Sequence, residues 1–383
     1  MKEFFINKIV NFKSSKLFVL IFISLLFVNL FSFQPLAAKE ESSSIFKARV
    51  IEVLSEVEKV GDDGVVFIQQ DLLLEIFQGE RKGEQVKYFG ISEIEVISSN
   101  IYKKGNRVFI DSYLNENHEE VFYIVDSIRT KALLILFILF LVVVFLVART
   151  KGLRALFSLL LSFLVIIKFI LPRIIAGNDP FIISLIGGLV IMVFIIYLTE
   201  GWQRKSHLSI LTVFVSLSIT LVLSLIFVYL TNLSGLAQEE ASFLIGVNDL
   251  RINFKGLLLA GFIIGAIGVL DDIIVGQIET VQSLREANPN LSSKEVFFLA
   301  YRVGNTHLGA IINTLFLTYT SVALPLLLLF VINDTKGLSI ERFLSTEVVS
   351  TEVVRTLVGS IGVVLSMPIA TFLGSFYGYK KKR

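Results

Sequence analysis

Seven apolar runs follow Lys131, at about 132–148, 153–171, 181–199, 208–230, 256–279, 306–331 and 354–378. Each is close to the roughly 20 residues needed to cross a hydrocarbon core. Inside lipid a backbone must satisfy its own polar groups, so such runs become helices or do not span at all. Residues 132–383 therefore predict a membrane all-α bundle of about seven transmembrane helices. Composition agrees: 54% of the chain is hydrophobic, 18% is charged and the mean hydropathy is +0.76. The net charge of +2 comes from basic residues at the ends of apolar runs, which argues against nucleic acid as a partner. With no cysteine, disulfides and thiolate metal sites are excluded.

Residues 1–38 read as a signal peptide or an N-terminal anchor. Lys2, Lys8, Lys13 and Lys16 precede the apolar LFVLIFISLLFVNLFSF (17–33), and PLAA offers Ala38 for cleavage. Residues 39–131 then change character. Six short β-prone runs (FKARVIEVL, GVVFIQ, LLLEIF, EQVKYFG, NRVFIDSYL, EVFYIVDSI) alternate with polar turn clusters, which predicts a small exported all-β domain with an OB-like barrel as the preferred form.

With that domain outside, twelve Lys and Arg fall in the cytosolic loops and tail, against five in the short outer loops (Arg173, Arg251, Lys255, Lys336, Arg342). The excess of inside charge predicts a multi-pass plasma-membrane protein with a cytoplasmic C-terminus.

The stretch GVLDDIIVGQIET (268–280) places acid at the end of an apolar run. At about 100° per residue, Gly261, Gly265, Gly268, Asp272, Gly276 and Glu279 share one helical stripe, with Asp271 on its flank and Gln277 nearly opposite. Glycines at this spacing let another helix approach, so the stripe predicts close packing. Asp272 lies about 25 Å from Lys255 along the helix, too deep for an ionised carboxylate to face lipid. It is the leading candidate for an ion or proton pathway. The next span adds Arg302, Thr306, Gly309, Asn313 and Thr320 on a stripe of its own. An Arg302–Glu279 ion pair is expected at the cytosolic mouth, and Pro325 is expected to kink the helix. His307 is a weak metal candidate, the interfacial histidine being the commoner case. Glu239 and Glu240 form an outer acidic pair that is ordinarily just solvated.

No hydrolase, zinc-protease, nucleotide-binding or dinucleotide-binding motif is present, so no catalytic residue, enzyme activity or cofactor is expected. The runs GLAQEEASFL, INFKGLLLAGFIIGAIGVLDDIIVGQIETV, LREANPNLSSKEVF and RVGNTHLGAIINTLFLTYTSVALPLLLL resemble the YibE/F-like family of bacterial multi-pass membrane proteins. The resemblance is close over residues 234–330. It implies a plasma-membrane protein of poorly defined activity, commonly described as a membrane or transport protein, and maps the family motif onto Gly261, Gly265, Gly268, Asp272, Asn313 and Thr314. Two readings follow. In the first the chain is a secondary transporter or ion-translocating protein whose acids bind a cation or proton. In the second it is a non-transporting envelope scaffold, with residues 39–131 capturing an extracytoplasmic protein partner.

Overall fold

The computed structural model describes residues 45–60, 66–91, 101–115, 118–237, 241, 243–245, 252–334 and 339–378. The signal or anchor segment 1–38, the Glu239–Glu240 pair, Arg251, Lys336 and the basic tail 380–383 lie outside the described residues. The chain divides into two compact units, meeting at Val147 and Ala148.

The first unit is a five-stranded antiparallel sheet of β1 (Phe46–Val60), β2 (Val66–Gln78), β3 (Gln85–Phe89), β4 (Arg107–Leu114) and β5 (Glu120–Ser127), in the order β3-β2-β1-β4-β5. The runs GVVFIQ and LLLEIF, expected as two strands, are the single strand β2. Its long pairing with β1 absorbs register shifts at Lys47/Ala48, Val50/Glu52 and Val53/Ser55 instead of a turn. Such bulges increase local twist. One face buries Ala48, Val50, Leu72, Leu74, Ile76, Val108 and Ile110, the period-two alternation of a half-buried sheet. Among the described residues the sheet is not closed into the expected OB-like barrel, because no ladder there joins β3 to β5.

A side-chain clasp bridges that gap. Arg81, in the β2–β3 turn, donates to Glu84 and to Glu120 on β5, each at 2.7 Å, while lying over the rings of Phe46 and Phe122. Hydrogen bonds from this guanidinium hold both carboxylates below their usual range. The clasp is thus complete above the ordinary carboxylate range and is lost as acid protonates Glu84 and Glu120. The chain leaves β5 directly into the apolar helix α1 (Thr130–Val165).

The second unit is helical. After α1 come a π-helical turn (Ile166–Ile170), α2 (Leu171–Ile175), α3 (Pro180–Glu200), α4 (Arg204–Leu230), α5 (Phe254–Ala287), α6 (Ser293–Val322), α7 (Leu324–Asp334), α8 (Ile340–Leu344) and α9 (Glu347–Tyr377). Among the described residues, five helices are long and apolar enough to cross a membrane: Thr130–Ile175, Pro180–Glu200, Arg204–Leu230, Phe254–Ala287 and Glu347–Tyr377. The described residues do not reproduce the count of seven. Runs 132–148 and 153–171 fall on either side of Arg149, whose φ 48, ψ −129 is non-helical, so they are two helical segments that meet at a kink. The π turn lies just before Pro172, which has no N–H to donate to a preceding carbonyl.

The sixth run, 306–331, is divided between α6 and α7 at Ala323, two residues before Pro325. Helix α6 also begins thirteen residues earlier than that run, so the expected 280–303 loop shrinks to 288–292. Two devices achieve this. Ser292 and Glu295 form a capping box, Ser292 N donating to Glu295 at 2.7 Å and Glu295 N to Ser292 Oγ at 3.2 Å. Buried Arg285 donates to Leu291 O, to Ser293 Oγ at 2.8 Å and to Ser375 O at 3.1 Å, tying the loop to α9.

Helix α5 is the axis of this unit, packing on α3, α4, α6 and α9. Its buried face carries Ile263, Ala266, Ile267, Leu270, Ile274 and Ile278. Small residues make the approach close: on α4, Ser206, Ser209, Thr212, Ser216, Thr220 and Ser224 are all buried. The hydroxyls of Ser209, Thr212, Thr220 and Ser224 donate to carbonyls one turn back and that of Ser206 to Gly201 O, whereas the buried Ser216 Oγ has no partner among the described residues.

Candidate functional site

The acid-bearing stripe sits on α5, whose N-terminus is fixed by Asn253 accepting from Gly256 N at 3.0 Å. The helical phase puts Gly261, Gly268, Asp272, Gly276 and Glu279 on one exposed face, with Gly265 half-buried among them. The predicted close packing is not met among the described residues. A Cβ added at Gly261, Gly268 or Gly276 would find nothing within 4 Å, and the same is true of Gly309 on α6. The neighbouring helices crowd the other side of α5, where its large aliphatic side chains point, and leave the glycine face open.

Part of that face borders a cavity of about 190 Å³ between α5 and α6, where Asp272, Gln277, Thr280 and His307 stand beside the apolar Ile273, Leu308, Ile311 and Met367. Asp272, exposed on its helix, thus borders a space of mixed polar and apolar lining. Its neighbour Asp271 is turned further inward. Its Oδ1 is buried and has no hydrogen-bond partner among the described residues. The two adjacent acids thus occupy different settings, one on the cavity and one against the packed core.

Gln277 holds the cavity's shape. Placed opposite the acids by helical phase and given no role from sequence, it is buried and donates from Nε2 to Ala300 O at 2.9 Å and to Thr371 Oγ1 at 2.7 Å. A single side chain so joins α5, α6 and α9. Gly304 makes room for it, since a Cβ there would stand 2.5 Å from Gln277 Oε1. The spacing of Gln277 with Gly304 on the next helix leaves no signal in one sequence. A polar residue on the apolar side of a membrane helix is the only available clue.

The remaining candidates are dispersed. Glu279 does not meet Arg302. It accepts from Lys205 Nζ at 2.7 Å, and the same ammonium reaches Glu200 at 2.8 Å, because α4 packs along α5 at this level. Arg302, Thr306 and Asn313 lie on an exposed face of α6, where the Thr306 hydroxyl donates to Arg302 O at 3.3 Å. Thr320 borders a different space, a largely apolar cavity of about 380 Å³ with Phe343, Glu352 and Thr356. His307 shares the Asp272 cavity, yet among the described residues no group of three His, Asp or Glu side chains is placed to hold a metal ion.

Sequence reasoning also passed over Glu352. It pairs with Arg355 at 2.7 Å within α9, and the guanidinium lies over Phe262 of α5. The i,i+3 spacing of opposite charges at the start of an apolar run was the readable signal.

Long apolar helices, with a small β domain ahead of them, describe a membrane protein. No curated protein and no solved structure matches the chain. The profile of the YibE/F-like protein family matches residues 136–380, from within α1 to the end of α9, and the chain belongs to that family.

Proposed function

We propose that this YibE/F-like protein translocates a cation or proton across the plasma membrane, with Asp272 as the residue that binds and releases it. The observation that carries the reading is the cavity between α5 and α6, where Asp272 is joined by Thr280 and His307 in the middle of apolar helices. A carboxylate in such a place is costly unless it serves a pathway. Asp271 supplies a second acid behind it, and the Lys205–Glu200–Glu279 group closes the end richest in basic residues, assigned to the cytosol by that charge. Thr306, Asn313 and Thr320 enter only through a rearrangement of α6, whose break at Ala323 offers a hinge. We assign no catalytic step.

A second reading has its own support. The uncovered face with Gly261, Gly268 and Gly276 suits a helix from another chain, as a non-transporting scaffold would need. Asp272→Asn separates the two. The amide keeps the shape of the carboxylate and removes its charge, so a translocator keeps normal abundance and loses ion flux. Flux is measured as uptake and efflux of protons and metal cations in a deletion strain complemented by each form. Full flux in Asp272→Asn at normal abundance would remove the central residue of the transport reading and leave the scaffold.

A further inference from the structure

The β unit carries a cationic cleft that the transport reading does not use. Lys47 and Arg49 on β1 and Arg107 and Phe109 on β4 lie on the sheet face opposite the core, as the alternation with buried Ala48, Val50, Val108 and Ile110 requires. Arg49 and Arg107 are direct cross-strand partners. Like charges so opposed destabilise a sheet unless something neutralises them. Both guanidiniums lie over one ring, Phe77 of β2, at 5.8 and 5.1 Å from its centroid. Among the described residues neither forms an ion pair.

Two acids beside them relieve the repulsion only in part. Asp126, opposite Phe109, is paired with Arg129 at 2.7 Å, and Glu75, opposite Arg49, makes no ion pair among the described residues. Beside this pair opens a cavity of about 540 Å³ whose lining includes Lys47, Arg107 and Lys131 and no carboxylate.

The far wall of the cavity is the start of α1, with Thr130, Lys131 and Leu134. From Leu133 to Val147 the large side chains of α1 are apolar and mostly exposed within this unit. A ligand held among the cations would thus have an uncovered apolar helix running away from it. Cations and an aromatic ring at the point where a chain enters lipid match a phosphate headgroup whose acyl chains continue along the helix.

We propose that this cleft binds the phosphate of an anionic phospholipid in the leaflet next to the β unit, through Arg49, Arg107, Lys47 and Lys131. The phosphate could equally arrive as a free anion, and the continuity with α1 favours the lipid.

The test uses the full chain in a neutral detergent, titrated calorimetrically with short-chain phosphatidylglycerol, short-chain phosphatidylcholine and inorganic phosphate. Phosphatidylglycerol should bind, and the other two should bind at least about tenfold more weakly. Removing one cation costs about fivefold in affinity, so Arg49→Gln/Arg107→Gln should weaken phosphatidylglycerol binding by about 25-fold. Lys59→Gln, at the opposite end of β1 from Lys47, should change nothing. Lys131→Gln, at an exposed helix start outside the sheet, should weaken binding about fivefold even if the double variant is not recovered folded. Equal binding of both lipids, or unchanged binding in both Lys131→Gln and the double variant, would overturn the proposal. Inorganic phosphate binding as tightly as phosphatidylglycerol would overturn the lipid assignment and make a soluble phosphate the ligand.

Discussion

The glycines of the helical unit fall into two sets with opposite surroundings. Gly188 of α3 is filled by Ile267, Gly304 of α6 by Gln277, Gly362 of α9 by Thr220, and Gly374 of α9 by Val281 at 3.3 Å. By contrast, Gly261, Gly268 and Gly276 of α5 and Gly309 of α6 have nothing within 4 Å. The first set is where helices touch, and there the missing side chain is what permits contact. In the second set the missing side chains leave a smooth face beside the only two adjacent acids of any membrane-crossing helix described. Glycine alone therefore does not identify a helix interface. It becomes one when a partner has something shaped to fill the gap.

Three substitutions probe this contrast. Gly362→Leu should have the largest effect, because an added Cβ runs straight into Thr220 Oγ1 and would stand 3.1 Å from Thr220 Cβ. Overpacking a site closed by a neighbouring helix costs about 3 kcal/mol or more. Recovery of folded protein after detergent extraction should fall sharply, and normal recovery would mean that α4 and α9 are not in contact as described.

Gln277→Met should come next. It keeps the length of the side chain and removes the bonds to Ala300 O and Thr371 Oγ1, at a cost of about 1–2 kcal/mol. Thermal unfolding in detergent should show a lowered midpoint with the helix content unchanged, and an unaltered midpoint would deny Gln277 its place as the joint of three helices.

Gly268→Leu should have the smallest effect on the isolated chain, within about 0.5 kcal/mol, since the new side chain enters open space. Loss of folded protein in this variant would reveal that a partner covers the α5 face. If stability is kept and ion flux falls, the face belongs to the pathway instead.

Much of this contrast was readable before any coordinates, and the limit has a definite cause. The apolar runs after Lys131 required helices, and the phase of GVLDDIIVGQIET placed Asp272 with Gly268 and Gly276 on one face, as found. The alternating runs before Lys131 required an antiparallel sheet, although β2 merged two of them. The Ser292–Glu295 capping box and the Glu352–Arg355 pair were readable and went unread. The partner of Glu279 was not readable: Arg302 lies in the following helix, but Lys205, 74 residues away along the chain, reaches the carboxylate.

The sequence by itself determined that this is a membrane protein with a small β unit, that its acids lie deep in a helix, and which residues share each face. A helix has a fixed period, so the relative directions of its side chains follow from their spacing alone. What occupies each direction is a property of pairs of helices, decided by how side-chain bulk on one meets gaps on another. Only the tertiary structure could turn the aliphatic side of α5 toward α3, α4 and α9, leave its glycines uncovered, set Asp272 against a cavity and bury Gln277 at the joint.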